Sequence, residues 1–179
     1  MGQLKRLVGA ACVAVLLLSG CSSGEQEPQS SLSALEEQLY QDVFEIYERC
    51  VALEYATVQQ GGTEFASPEI KKCYMGSELE WVEWYFKRLW DMGLSYAGTN
   101  VDVIEGWRRA PEPDKSTGAF ISIEECTRHE KTDSLNPDGS VHTPALSNIS
   151  HAVVFFARDT DNVIKIYDRT TEKVEECPF

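Results

Sequence analysis

The hydrophobic pattern of this chain changes period once, near Gly98, and that change limits what the chain can become. Before it, apolar residues recur at three- and four-residue steps; after it, they alternate or cluster in short blocks between turn residues. Helices first and consecutive strands after them define an α+β fold, with N-terminal helices packed on an antiparallel sheet of about four strands.

The helical half carries its own punctuation. Ser33-Ala34-Leu35-Glu36 reads as a capping box, a serine accepting from the backbone three residues on while a glutamate reaches back. Behind it, Leu35, Leu39, Val43, Ile46, Cys50 and Leu53 form a stripe widened by Tyr40, Tyr47 and Val51, which predicts an amphipathic helix of about 20 residues. Gly61-Gly62 breaks the chain. Ser67-Pro68-Glu69 opens a short helical segment through Cys73, with proline at the first helical position, and Gly76 is expected to end it. A second capping box, Ser77-Glu78-Leu79-Glu80, predicts a helix running to Met92, with Gly93 as its left-handed cap. Trp81, Val82, Tyr85, Phe86, Leu89 and Met92 share one face of that helix, and Trp90 stands at its border.

The extended half begins with Val101, Val103 and Trp107 alternating with polar residues. Pro111 to Gly118 is a turn-rich break, and Phe120-Ile121-Ser122-Ile123 resumes the strand pattern. Asn136-Pro137-Asp138-Gly139 is a turn by residue chemistry. Ala152-Val153-Val154-Phe155-Phe156 is the most strand-like run, and Asp159–Asn162 turns it into Val163-Ile164-Lys165-Ile166-Tyr167.

Ahead of all this stands a different kind of segment. Lys5 and Arg6 precede an apolar run from Leu7 to Leu18, too short for the ~20 residues that span a bilayer. The run ends in Leu18-Ser19-Gly20-Cys21, which resembles the lipobox of bacterial lipoproteins. That resemblance implies a signal peptide over residues 1–20, cleavage before a diacylated Cys21, and a mature protein tethered to the extracytoplasmic face of the cell membrane. Two acyl chains suffice for stable anchoring. Residues 22–32 are polar and without apolar period, a tether reaching roughly 17–20 Å. Residues 33–179 then make one domain, large enough for a single core.

Removing Lys5 and Arg6 from the 16 basic residues leaves 14 against 29 acidic, a net charge of about −15. Such a surface repels nucleic acid and anionic head groups, so nucleic acid is excluded as a partner and the membrane link falls to the lipid. Of six cysteines, Cys12 leaves with the leader and Cys21 becomes a thioether. Cys50, Cys73, Cys126 and Cys177 remain, an even set that predicts two disulfides in an oxidising compartment. Three pairings are possible. Cys50–Cys73 with Cys126–Cys177 is favoured because each joins neighbouring elements, and each bridge stabilises by about 3–4 kcal/mol through loop closure.

Several residues carry a further resemblance. Glu125-Cys126, Pro137-Asp138-Gly139-Ser140-Val141, the strand through Phe156, the Asp159–Asn162 hairpin and the terminal Cys177 resemble the nuclear-transport-factor-2-like domain of small secreted Gram-positive lipoproteins. The resemblance implies a cone, a curved sheet of about four strands covered by helices, and a Cys126–Cys177 bridge. Cys126-Thr127-Arg128 and Ile164-Lys165-Ile166 depart from the residues usual in that family. The fold hosts enzymes, binders and scaffolds alike, so it leaves activity open.

Motifs for chemistry are sparse. Gly-rich phosphate loops, H-E-x-x-H and C-x-x-C are absent from the sequence, so no cofactor or metal is called for. His129 and His142 flank a loop and are expected at the surface; His151 precedes the strongest strand, at an edge or satisfied position. An isomerase- or hydratase-type enzyme would need an inward strand carboxylate, for which Asp102, Glu124 and Asp168 are the candidates, with His151 as helper. Trp84 falls among Glu80, Lys87, Arg88 and Asp91, opposite the apolar face. Either the protein covers it, by the first helix or by Arg88 one turn on, or Trp84 and Arg88 belong to a partner-binding surface. The Lys71-Lys72 and Arg108-Arg109 pairs and the Asn148-Ile149-Ser150 sequon are expected at solvated positions. The expected function is a non-catalytic envelope module that contacts an envelope protein or holds a small apolar ligand, with the protein contact slightly preferred.

Overall fold

A computed structural model describes residues 29–97, 103–113, 118–129, 133–143 and 148–179, the first four by backbone alone. The predicted leader over residues 1–20, Cys21, the tether up to residue 28, Val101 and Asp102 lie outside the described residues. Three helices come first: α1 (Gln29–Gln59), α2 (Pro68–Cys73) and α3 (Gly76–Met92). Among the described residues seven strands follow: β1 (Ser95–Tyr96), β2 (Val103–Arg109), β3 (Ile121–His129), β4 (Ser134–Leu135), β5 (Val141–Thr143), β6 (Asn148–Arg158) and β7 (Ile164–Val174). The fold is α+β, and no helix among the described residues is long and apolar enough to cross a membrane.

α1 is described from Gln29 onward, so Ser33–Glu36 lie within the helix rather than at its cap. No residue of Gln29–Leu32 resists helical backbone. The buried stripe runs through Tyr40, Val43, Tyr47, Cys50 and Val58, while Leu35, expected on it, is 68% exposed. α2 matches its predicted cap, the Ser67 hydroxyl accepting from the Ile70 amide at 3.2 Å. In α3 the predicted capping box does not form. Met75 occupies the cap position without a side-chain bond, and Ser77 Oγ instead donates to Asp168 Oδ1 at 3.0 Å, because β7 runs alongside and competes for it. Gly93 closes α3 in the left-handed conformation, as predicted.

Gly62 shows why the break after α1 needs glycine. It sits at φ +73, and a Cβ there would lie 2.2 Å from the Phe86 carbonyl oxygen. The chain therefore passes against the backbone of α3 with no room for a side chain.

The main sheet has the antiparallel order β2-β3-β6-β7, and a small sheet, not anticipated from the sequence, has the order β1-β4-β5. β4 and β5 are two and three residues long, too short for alternation to be seen in sequence. α3 packs beside β7, where the Met75 amide donates to the Ile166 carbonyl at 2.9 Å. The core fills the space between helices and sheet with Val43, Tyr47, Val82, Phe86, Ile123, Val154, Phe156 and Ile166. Both disulfides follow the favoured pairing, Cys50–Cys73 with Cα atoms 5.5 Å apart and Cys126–Cys177 with 5.8 Å. The second folds the C-terminal tail across the outer face of the sheet, where Phe179 lies under the Arg108 guanidinium.

Candidate functional site

Parity along the strands decides which side chains meet the helices. On β3, Ile121, Ile123, Glu125 and Thr127 fall on one side; on β6 their cross-strand partners are Phe156, Val154, Ala152 and Ser150. On β7 the alternation is interrupted. Phe155 pairs with Asp168 and Phe156 with Ile166, leaving Tyr167 as an extra, unpaired residue. One extra residue exchanges the two faces beyond it. Ile166 and Arg169 consequently share the inner side, whereas strict alternation would have put Asp168 there.

These inward residues line a cavity of about 620 Å³ between sheet, α1 and α3. Its aromatic wall is Tyr47, Tyr55, Trp81, Tyr85 and Tyr96; its polar members include Glu54, Glu125, Thr127, Ser150 and Arg169. The size and the mixture of apolar wall with a few polar groups are those of small-molecule sites. Trp81 and Tyr85 stack with centroids 5.2 Å apart, and the Tyr85 and Tyr96 hydroxyls are 3.0 Å apart.

Two charged groups anchor the interior. Glu125 is 3% exposed and accepts hydrogen bonds from Thr127 Oγ1 and from the Tyr47 hydroxyl. Burial, reinforced by Glu125 and Glu54 against the opposing Arg169, pushes the Tyr47 phenol far above its usual range, so it stays protonated and can donate to Glu125. Arg169 Nη2 lies 3.0 Å from Glu78 Oε1 and 3.5 Å from Glu54 Oε2, with its guanidinium over the Tyr47 ring. Burial alone would disfavour its charge; Tyr47, Glu54 and Glu78 outweigh that and hold its pKa above the ordinary arginine value. Glu54 also accepts from the buried Tyr74 hydroxyl at 2.7 Å. Desolvation raises the Glu78 pKa, Arg169 opposes the rise, and Glu54 and Asp168 add to it.

Of the predicted strand carboxylates, Glu124 and Asp168 do not meet this interior. Asp168 faces Ser77 instead. Glu124 is on the outer face, where it accepts from Arg108 Nε at 2.8 Å and from His151 Nε2 at 3.3 Å. His151 is satisfied between Glu124 and Glu172, outside the cavity, so it helps no inward carboxylate. His129, expected at the surface, lines the cavity and shares a 2.7 Å hydrogen bond with Ser150. His142 is exposed, 3.1 Å from Asn136 Oδ1. The sequon residues Asn148 and Ser150 also line the cavity rather than facing bulk solvent. Arg109 ties β2 to α1 through Glu36 and Glu37 and lies over Tyr40, while Lys71 pairs with Glu83 at 3.3 Å.

Glu125 had a legible signal, since it continues the parity of Ile121 and Ile123. The competing parity of Phe120 and Ser122 hid it; Phe120 lies before the strand, beneath Arg158. Arg169 had none, because nothing local to Tyr167 announces a bulge.

Trp84 is 53% exposed, and α1 does not cover it. The Arg88 guanidinium stands 5.3 Å from its ring centroid, and a shallow groove of about 250 Å³ beside it is lined by Lys87, Arg88, Asp91 and Met92. No protein-family model matches the chain, and no curated protein matches it at a significant level.

Proposed function

We propose that this chain is a membrane-anchored extracytoplasmic lipoprotein whose domain is a non-catalytic receptor for a small molecule bound between helices and sheet. The observation that carries the binding role is the buried Glu125 carboxylate together with the Arg169 guanidinium on the lining of an aromatic-walled cavity of about 620 Å³. The lipobox ending at Cys21 supports the address, and two disulfides suit an oxidising compartment. Helices followed by a four-stranded antiparallel sheet support the finer reading of a nuclear-transport-factor-2-like cone. A protein contact through Trp84 and Arg88 ranks below ligand binding, because Arg88 already occupies part of the ring and the adjoining groove is shallow.

A fragment panel titrated into the full chain, followed by the Trp81 indole signal, tests the binding role. Shifts at Trp81 that vanish in Thr171→Trp, which narrows the cavity from its rim, are expected. Shifts confined to Trp84, or none, overturn it. The address is tested separately: the native N-terminal peptide should carry a diacylglyceryl group on Cys21, and C21A should leave the membrane fraction.

One observation favours a second reading. Glu125 is a buried carboxylate facing an apolar-walled cavity, the arrangement of a base that abstracts a proton beside a carbonyl. Turnover of a carbonyl substrate, abolished in E125Q with binding retained, would replace the receptor role by an isomerase role.

A further inference from the structure

We infer that the cavity takes a small organic cation, an ammonium or quaternary ammonium group on an apolar body, with Glu125 as its counter-charge; the inference rests on the receptor reading above. Glu54 and Glu125 line the cavity, and Glu78 joins Glu54 in facing the one guanidinium, Arg169. Glu54 and Glu78 are both committed to Arg169, at 3.5 and 3.0 Å. Among the described residues no cation lies within ion-pair distance of Glu125, whose donors are the neutral hydroxyls of Thr127 and Tyr47. A buried carboxylate held by neutral donors remains short of charge compensation, and a positive ligand supplies it.

The wall matches that charge. Tyr47, Tyr55, Trp81, Tyr85 and Tyr96 present the aromatic surfaces on which ammonium groups are stabilised, and Tyr47 already carries one cation, Arg169, at 5.7 Å. An anionic ligand meets the opposite conditions. Arg169, the one guanidinium on the lining, is already engaged by Glu54, Glu78 and the Tyr47 ring, and the remaining field is that of carboxylates. The chain as a whole carries a formal charge of −13, which draws cations toward its clefts and turns anions away.

Three probes of nearly one shape separate charge from fit: choline, its neutral carbon isostere 3,3-dimethylbutan-1-ol, and the anion 3,3-dimethylbutanoate. Each is titrated into the full chain with the Trp81 indole signal as readout. Choline should bind at least about tenfold tighter than the neutral isostere, with the anion weakest. E125Q should bring choline to within about twofold of the alcohol while leaving alcohol binding in place. Equal or tighter binding of the alcohol or the anion to the wild type overturns the cation assignment and leaves the cavity as a receptor. No response to any of the three also overturns it, the receptor reading being decided by the fragment panel. A choline preference that survives E125Q overturns the role of Glu125. Should E125Q fail to fold, the wild-type ranking of the three probes decides.

Discussion

Arg169 Nη2 lies 3.0 Å from Glu78 Oε1, so the last strand is tied to the third helix by a charge pair sunk between them. The pair is one edge of a cluster in which Glu54 also faces Arg169 and accepts from Tyr74. Removing the guanidinium strands two carboxylates in the interior. R169M should lose about 3–5 kcal/mol in urea unfolding. Adding E54Q and E78Q to R169M should recover at least half of that loss, since the uncompensated charges leave with the carboxylates.

Glu78 sets a pH dependence of definite sign. Its folded pKa is raised by burial, so the native state binds its proton more tightly than the unfolded chain does. Above the unfolded value of 4.5 and through the raised folded value, ionisation therefore costs stability, and the cost persists at neutral pH. The stability of wild type relative to E78Q should decline as pH rises across that window, measured by denaturant unfolding at successive pH values. A difference that grows with pH would contradict the burial argument.

Gly62 should not tolerate even alanine. Its left-handed backbone and the 2.2 Å approach to the Phe86 carbonyl oppose any Cβ. G62A should cost more than about 2 kcal/mol and lower the hydrogen-exchange protection of α3 around Phe86.

The two disulfides should differ in what they release. C126A/C177A opens a separation of 51 residues and should cost about 4 kcal/mol, with loss of the Phe179 contact on Arg108. C50A/C73A opens 23 residues between α1 and α2 and should cost about 3 kcal/mol from loop entropy, plus the packing loss of two buried sulfurs. Non-reducing peptide maps should show only these two links.

Trp84 should matter little to the fold. With about half its surface exposed and Arg88 as its neighbour, W84A should change stability by no more than about 1 kcal/mol. A larger loss would mean that the helix face around it is structural.

What the amino-acid order determined by itself was local. The Ser67 cap, the left-handed Gly93, the Asp159–Asn162 turn and the switch from helical to alternating period each depend on a few consecutive residues and their own backbone sterics. The Cys50–Cys73 pairing was legible for a related reason, since it joins consecutive helices; Cys126 and Cys177 meet because the chain beyond β7 folds back over the sheet to β3.

The interior of the cavity belongs to tertiary structure. Glu124 and Glu125 are chemically identical neighbours, and only the seating of β3 on the helices selects Glu125. Asp168 and Arg169 exchange faces because Tyr167 is extruded where β6 and β7 pair. Alternation has a period of two, so one bulge fixed by distant packing reverses every assignment after it. Ser77 was similarly drawn from its cap by a strand ninety residues away in the chain.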